Sequence, residues 1–137
     1  MTAKVPTESQ EQMWLIQWSE QPSIRSQYPD LKYLFHIANE RSDKIQAAIL
    51  KKMGVRKGVP DLCLPVARGR YHGLYIEMKR TRDGRPSEEQ LWWEEGLAGN
   101  GYATAICHGW KKASEILTWY LNLKGDSQNG RNESIPV

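Results

Sequence analysis

Apolar and polar positions along the chain change period several times, and each change marks an element. From Thr7 to Ser19 the residues Trp14, Leu15 and Trp18 recur at helical spacing and Thr7 offers an N-cap hydroxyl, which predicts an amphipathic first helix. Glu8 and Gln12 lie one turn apart on it. Residues 20–35, EQPSIRSQYPDLKYLF, are interrupted by Pro22 and Pro29 and read as a loop ending in a short apolar strand. A second helix is expected over residues 43–53, with Ile45, Ala48 and Ile49 turned inward and Gly54 as its stop.

Two strands follow, over residues 61–66 and 74–79, joined by the basic turn ARGRYHG as a β-hairpin. Ser87 opens a third helix, with Glu88 and Glu89 in its first turn and Gln90 at the capping-box position; the helix ends near Gly99-Asn100-Gly101. Residues 102–107, YATAIC, read as a further strand. Residues 110–121 form a last helix with Ile116, Leu117 and Tyr120 on its inner face. This order predicts an α/β fold with a mixed sheet flanked by helices over residues 1–121, and a polar, disordered tail over 122–137.

With 137 residues the chain fits one domain and one site. No apolar run approaches the roughly 20 residues that span a bilayer, and no signal peptide opens the sequence. Cys63 and Cys107 lie far apart without a CxxC partner, which fits a reduced, cytoplasmic compartment rather than a disulfide framework or a cysteine-histidine metal site. The net charge of +3 is unevenly spread: residues 1–30 carry −2, residues 31–85 carry +8 and residues 86–137 carry −3. A basic block of that size suits a polyanion such as nucleic acid, although a solvated basic loop region has the same composition.

The hairpin lies within that block. Alternation puts Leu74, Ile76 and Met78 on one face of its second strand and Tyr75, Glu77 and Lys79 on the other. If the hairpin is symmetric about Gly69, Asp61 faces Glu77. Two carboxylates facing each other across a sheet, about 5 Å apart, repel unless a positive group lies between them. A divalent cation with hard oxygen ligands answers that need, and Lys79 is then placed to help deprotonate a water and to steady a phosphate. Taken singly, Pro60-Asp61 is a common turn dipeptide and Glu-x-Lys a common solvated ion pair. Arg68, Arg70, Arg80, Arg82 and Arg85 are candidates for phosphate contact. Trp92, Trp93, Trp110 and Trp119 fall in helical segments and are expected in the core or at an interface.

An aspartate after proline followed by Glu-x-Lys resembles the PD-(D/E)XK nuclease superfamily. The longer runs GVRKGVPDLCLPVARGRYHGLYIEMKR and SEEQLWWEEGLAGNGYATAICHGWKKASEILTWYL, with ESQEQ at residues 8–12 and YPDLKYLFHIAN at 28–39, resemble the small stand-alone VRR-NUC proteins of phages and bacteria. That resemblance implies a restriction-endonuclease-like fold, a Mg²⁺ or Mn²⁺ requirement, and cleavage of DNA chosen by branched structure rather than by sequence, in replication, repair or recombination. It implies that Asp61 and Glu77 hold the metal with the Met78 backbone carbonyl, and that Lys79 is the catalytic lysine. By the same match Glu8 supports the metal site through water, Gln12 follows one turn later, and Gln90 orients the site. The bland readings are a helix-dipole role for Glu8 and a capping box for Gln90. The sequence departs from the family pattern at HIANERSDK, where His36 and Asn39 are read as structural.

The expected activity is therefore a metal-dependent DNA endonuclease. Its rivals are a DNA-binding module of the same fold without strong catalysis, and an interaction protein that retained the fold. Six tryptophans in so short a chain, and the need for two sites to act on two strands, predict a homodimer with some of the aromatics at its interface.

Overall fold

The computed structural model describes residues 4–38 and 44–124. Five helices surround a four-stranded sheet. In chain order they are α1 (Glu8–Glu20), α2 (Pro22–Gln27), a 3-10 turn (Pro29–Tyr33), β1 (Phe35–His36), α3 (Lys44–Lys52), β2 (Leu62–Leu64), β3 (Leu74–Lys79), α4 (Glu88–Gly99), β4 (Ala103–His108) and α5 (Trp110–Leu121). The sheet order is β1-β2-β3-β4, antiparallel between the first two pairs and parallel between β3 and β4, with α4 as the crossover. This is the predicted mixed α/β architecture.

Local signals explain most of the elements. α1 and α4 each open with a complete capping box, Thr7 with Gln10 and Ser87 with Gln90, which satisfies N–H groups that would otherwise lack partners. The hairpin pairs Leu62 with Ile76 and Leu64 with Leu74, so its register is centred on Gly69 as symmetry predicts. Leu15, Leu31, Leu62, Leu64, Leu74, Ile76, Met78, Ile116, Leu117 and Tyr120 fill the core on the α1/α5 side of the sheet. The Tyr120 hydroxyl, inside that core, donates to the Val66 carbonyl at 2.6 Å and ties α5 to the hairpin.

Three expectations are corrected. Residues 22–33 are not a loop, because a proline is tolerated at a first helical position and both Pro22 and Pro29 start helical turns. Ile45, Ala48 and Ile49 do not point inward: α3 presents them to solvent, with Ile45 75% and Ile49 51% exposed. The helical period of α3 is real, but among the described residues the sheet core is closed by α1 and α5 and leaves the apolar face of α3 outside it. On α1 the buried stripe is Glu11, Leu15 and Ser19 rather than Trp14 and Trp18; Trp14 stays exposed and Trp18 only borders the core. Asn39, Asp43 and the tail from residue 125 onward lie outside the described residues.

Candidate active site

β2 starts only at Leu62, and just before it the Asp61 side chain takes the place of a ladder acceptor: the Met78 N–H donates to its Oδ2 at 2.7 Å. The Asp61 carbonyl is held as well, accepting from the Ile37 N–H at 2.7 Å and from His36 Nδ1 at 2.8 Å. With a carbonyl as partner, Nδ1 is the protonated nitrogen of His36. His36 therefore fixes the segment that carries Asp61.

Glu77 lies opposite Asp61 at the carboxyl end of β3. It is 2% exposed, and Lys79 on the same face is 6% exposed. The expected polar face of this strand is thus sealed, which a solvated ion pair would not be. The Gln90 side-chain amide donates to Glu77 Oε2 at 2.8 Å while its carbonyl accepts the Ser87 N–H at 2.9 Å. One side chain therefore serves both the helix cap and the buried carboxylate. Lys79 Nζ stands 3.4 Å from Glu77 Oε2 and 3.8 Å from Glu8 Oε2. The first turns of α1 and α4 converge on this point, and helix N-termini favour anions such as phosphate.

Burial, and after it the negative charge of Asp61, push the Glu77 carboxyl above the ordinary carboxylate range, with Lys79 pulling the other way. Glu77 Oε1 is buried without a hydrogen-bond partner among the described residues. A buried, unpartnered carboxylate oxygen beside a second carboxylate fits a divalent cation. Among the described residues no three His, Cys, Asp or Glu side chains could hold an ion together, so Asp61 and Glu77 would supply the protein's carboxylates. Mg²⁺ accepts such a sparse set because it retains several waters.

Not every candidate gathers here. Arg68 and Arg70 lie in the hairpin turn beyond the other end of β3. Arg68 is paired with Asp30 at 2.6 Å, and Arg70 stacks over the Tyr71 ring. Arg80, Arg82 and Arg85 follow the end of β3 that carries the site; Arg82 and Arg85 are exposed, and Arg80 Nε is buried without a hydrogen-bond partner among the described residues. Gln12 does not join the contacts around Glu77.

Sequence reading overlooked Glu11. It is 3% exposed, and its Oε1 accepts the Trp110 N–H at 2.9 Å, capping α5 from α1. Gly109, with φ of 94° and no side chain to cap, leaves that N–H to another element. Gly58 was also unremarked. At φ +90° an added Cβ would lie 2.6 Å from Glu89 Cβ, so only glycine lets the Asp61 loop close on the first turn of α4.

No curated protein matches the chain. A solved structure titled "VRR_NUC domain protein" superposes with a TM-score of 0.80 and 29% sequence identity, over 94% of this chain and 99% of that one. The model of the VRR-NUC domain matches residues 6–111, a span that takes in α1, the hairpin, α4 and β4. Proteins with this domain are generally nucleases, and on that match the chain belongs to the VRR-NUC family.

Proposed function

We propose that the protein is an endodeoxyribonuclease that depends on Mg²⁺ or Mn²⁺ and selects branched or junction DNA by shape. The observation that carries this reading is the buried Glu77, unpartnered at one oxygen and facing Asp61, with Lys79 beside it. A cation held by Asp61 and Glu77, with the Met78 carbonyl and water, would supply Lewis acidity toward a phosphodiester and its attacking water. Asp61 is aimed by Met78, Ile37 and His36, and Glu77 by Gln90. Lys79 is placed to take the proton of the attacking water and to counter charge that develops on the phosphate. Glu8 holds Lys79 from the solvent side. Arg80, Arg82 and Arg85 supply phosphate contacts at the same end of the sheet.

A twofold homodimer would bring two such sites to one junction. The exposed apolar face of α3, with Ile45 75% and Ile49 51% exposed, offers it a surface. Both cysteines are free and buried, consistent with work inside a reducing cell. Among the described residues no helix is long and apolar enough to cross a membrane.

The decisive experiment incubates labelled duplex, single strand, flap and four-way junction with Mg²⁺, Mn²⁺ or EDTA. The expected result is ion-dependent cutting, strongest on a branched substrate. Equal cutting in EDTA overturns the metal mechanism. Tight binding with no cutting under any ion identifies a DNA-binding module instead.

A further inference from the structure

Resting on the nuclease reading, we infer that a groove between α4 and the segment after α3 binds an unpaired nucleotide of the DNA, stacking its base on tryptophan. The groove has a volume of about 550 Å³ and is lined by Arg56, Lys57, Glu88, Glu89, Trp92 and Trp93. Trp92 is 69% exposed on a helix, and packing among the described residues does not account for it. Trp93 stands edge-on to it at 5.5 Å between ring centroids and is fixed by donating its Nε1–H to the Lys57 carbonyl at 3.1 Å. One indole is therefore anchored and buttresses the other, whose face is open.

The walls differ in charge, and the difference orients the ligand. Arg56 and Lys57 continue into a neighbouring hollow with Lys51, so the α3 side is a strip of cations suited to a phosphate backbone. Glu88 and Glu89 edge the α4 side, with Glu89 3.7 Å from Lys57, and they repel phosphate there. A strand following the cations therefore turns its base, not its phosphate, toward the tryptophans. A cationic track with aromatic platforms is the usual construction for single strands, because every base has a face to stack. A base within a duplex has both faces covered by its stacked neighbours and cannot use it.

The groove shares its framework with the proposed active site. Lys57 and Asp61 belong to one loop, Gln90 and Trp92 to one helix, and Gly58 locks the two together. Two residues of helix place Trp92 on the side of α4 opposite Gln90, so the groove lies about one helix diameter, ~10 Å, from the carboxylates. An unpaired nucleotide seated there would set which phosphate of a branched substrate reaches Glu77.

The test measures binding by fluorescence anisotropy in EDTA, so that nothing is cut, for oligo(dT), a blunt duplex, and that duplex with an oligo(dT) overhang. Trp92→Ala is expected to weaken oligo(dT) and overhang binding about tenfold while leaving the blunt duplex unchanged, and Trp92→Phe to restore most of it. Circular dichroism checks the fold. Equal losses on the blunt duplex, or none on oligo(dT), overturn the proposal. So does a halved mass by light scattering with oligo(dT) affinity intact, which would make the groove a contact between copies of this chain. If wild-type protein binds oligo(dT) through Trp92 but cuts no DNA with either ion, the groove stands and the nuclease reading fails.

Discussion

Two flanks of the molecule break the usual inside-outside rule in opposite directions. On α1 and at the carboxyl end of β3, charged groups are buried: Glu11, Glu77 and Lys79 are each at most 6% exposed. On the α3/α4 side, apolar groups are exposed, among them Ile45, Ile49, Met53, Leu91 and Trp92. Each inversion has a cost that the fold alone does not require, desolvation in one case and hydrated apolar surface in the other. The buried charges are held by a specific partner or stand beside one another at the proposed catalytic centre. Among the described residues these apolar groups stay largely uncovered, which suits a contact with another molecule. On the proposed reading, one flank serves chemistry and the other recognition.

The largest expected effect sets the two flanks furthest apart. Glu77→Ala or Lys79→Ala is expected to lower the single-turnover cleavage rate by at least about 10³-fold, as does Asp61→Ala, because these groups act as a unit. Ile49→Ala, on the exposed flank, is expected to leave the chemical step unchanged. Cutting of a labelled junction under saturating ion measures both. Wild-type rates in any of the first three would remove the site.

Next comes stability. Truncating Glu11 strands the Trp110 N–H at the start of α5 and opens a void beneath α1. Glu11→Ala is therefore expected to lose about 2 kcal/mol in urea unfolding. Ile49→Ala is expected to stay within about 0.5 kcal/mol, since it removes only hydrated surface. A large loss at Ile49 would mean that the α3 face is covered in solution.

This contrast also shows where the sequence was readable. The hairpin register follows from counting residues about Gly69, so the facing of Asp61 and Glu77 was legible before any coordinates. The N-cap at Thr7 and the capping box at Ser87 are local patterns and located two helices to within a residue. What was not legible depends on distant partners. Period gave α3 its apolar face but not whether a neighbour would cover it. Glu11 gave no signal of its own, because its partner lies 99 residues away. Arg68 looked like the other arginines until Asp30, 38 residues distant, claimed it. Gln90 presented a choice between cap and site that only the structure dissolves, since one amide does both.

A pH series sharpens the comparison on α4 itself, which faces both flanks. Burial pushes Glu94 up to about 7, and its Oε1 is buried without a hydrogen-bond partner among the described residues. The folded chain therefore holds a proton on Glu94 that the unfolded chain releases near the ordinary glutamate value. That proton's contribution is complete at low pH and is lost as pH rises from about 4.5 through about 7. Glu94→Gln keeps the shape and removes the titration. Discounted for partial solvent access, it is expected to stabilise the fold by about 1 kcal/mol at pH 8 and by nearly nothing at pH 4. A gain that does not change with pH would show that charge on Glu94 is not the cause.

The smallest expected effect concerns the arginines, which the structure sorts by position. Arg82 and Arg85 are exposed on the segment that leaves β3 beside the proposed site, whereas Arg68 is occupied by Asp30 beyond the strand's other end. A phosphate contact releases counterions, and each one lost flattens the dependence of log affinity on log salt by about 0.9. Replacing both Arg82 and Arg85 with alanine should therefore lower the slope by up to about 2 and weaken binding a few-fold on every DNA shape, since such contacts do not read sequence. Arg68→Ala should leave the slope unchanged and instead cost up to about 1 kcal/mol of stability through its half-exposed ion pair. Anisotropy across a salt series separates the two. If Arg68→Ala flattens the slope as much as the double variant, the DNA runs the full length of the hairpin, and the division of the molecule into a site end and a structural end is wrong.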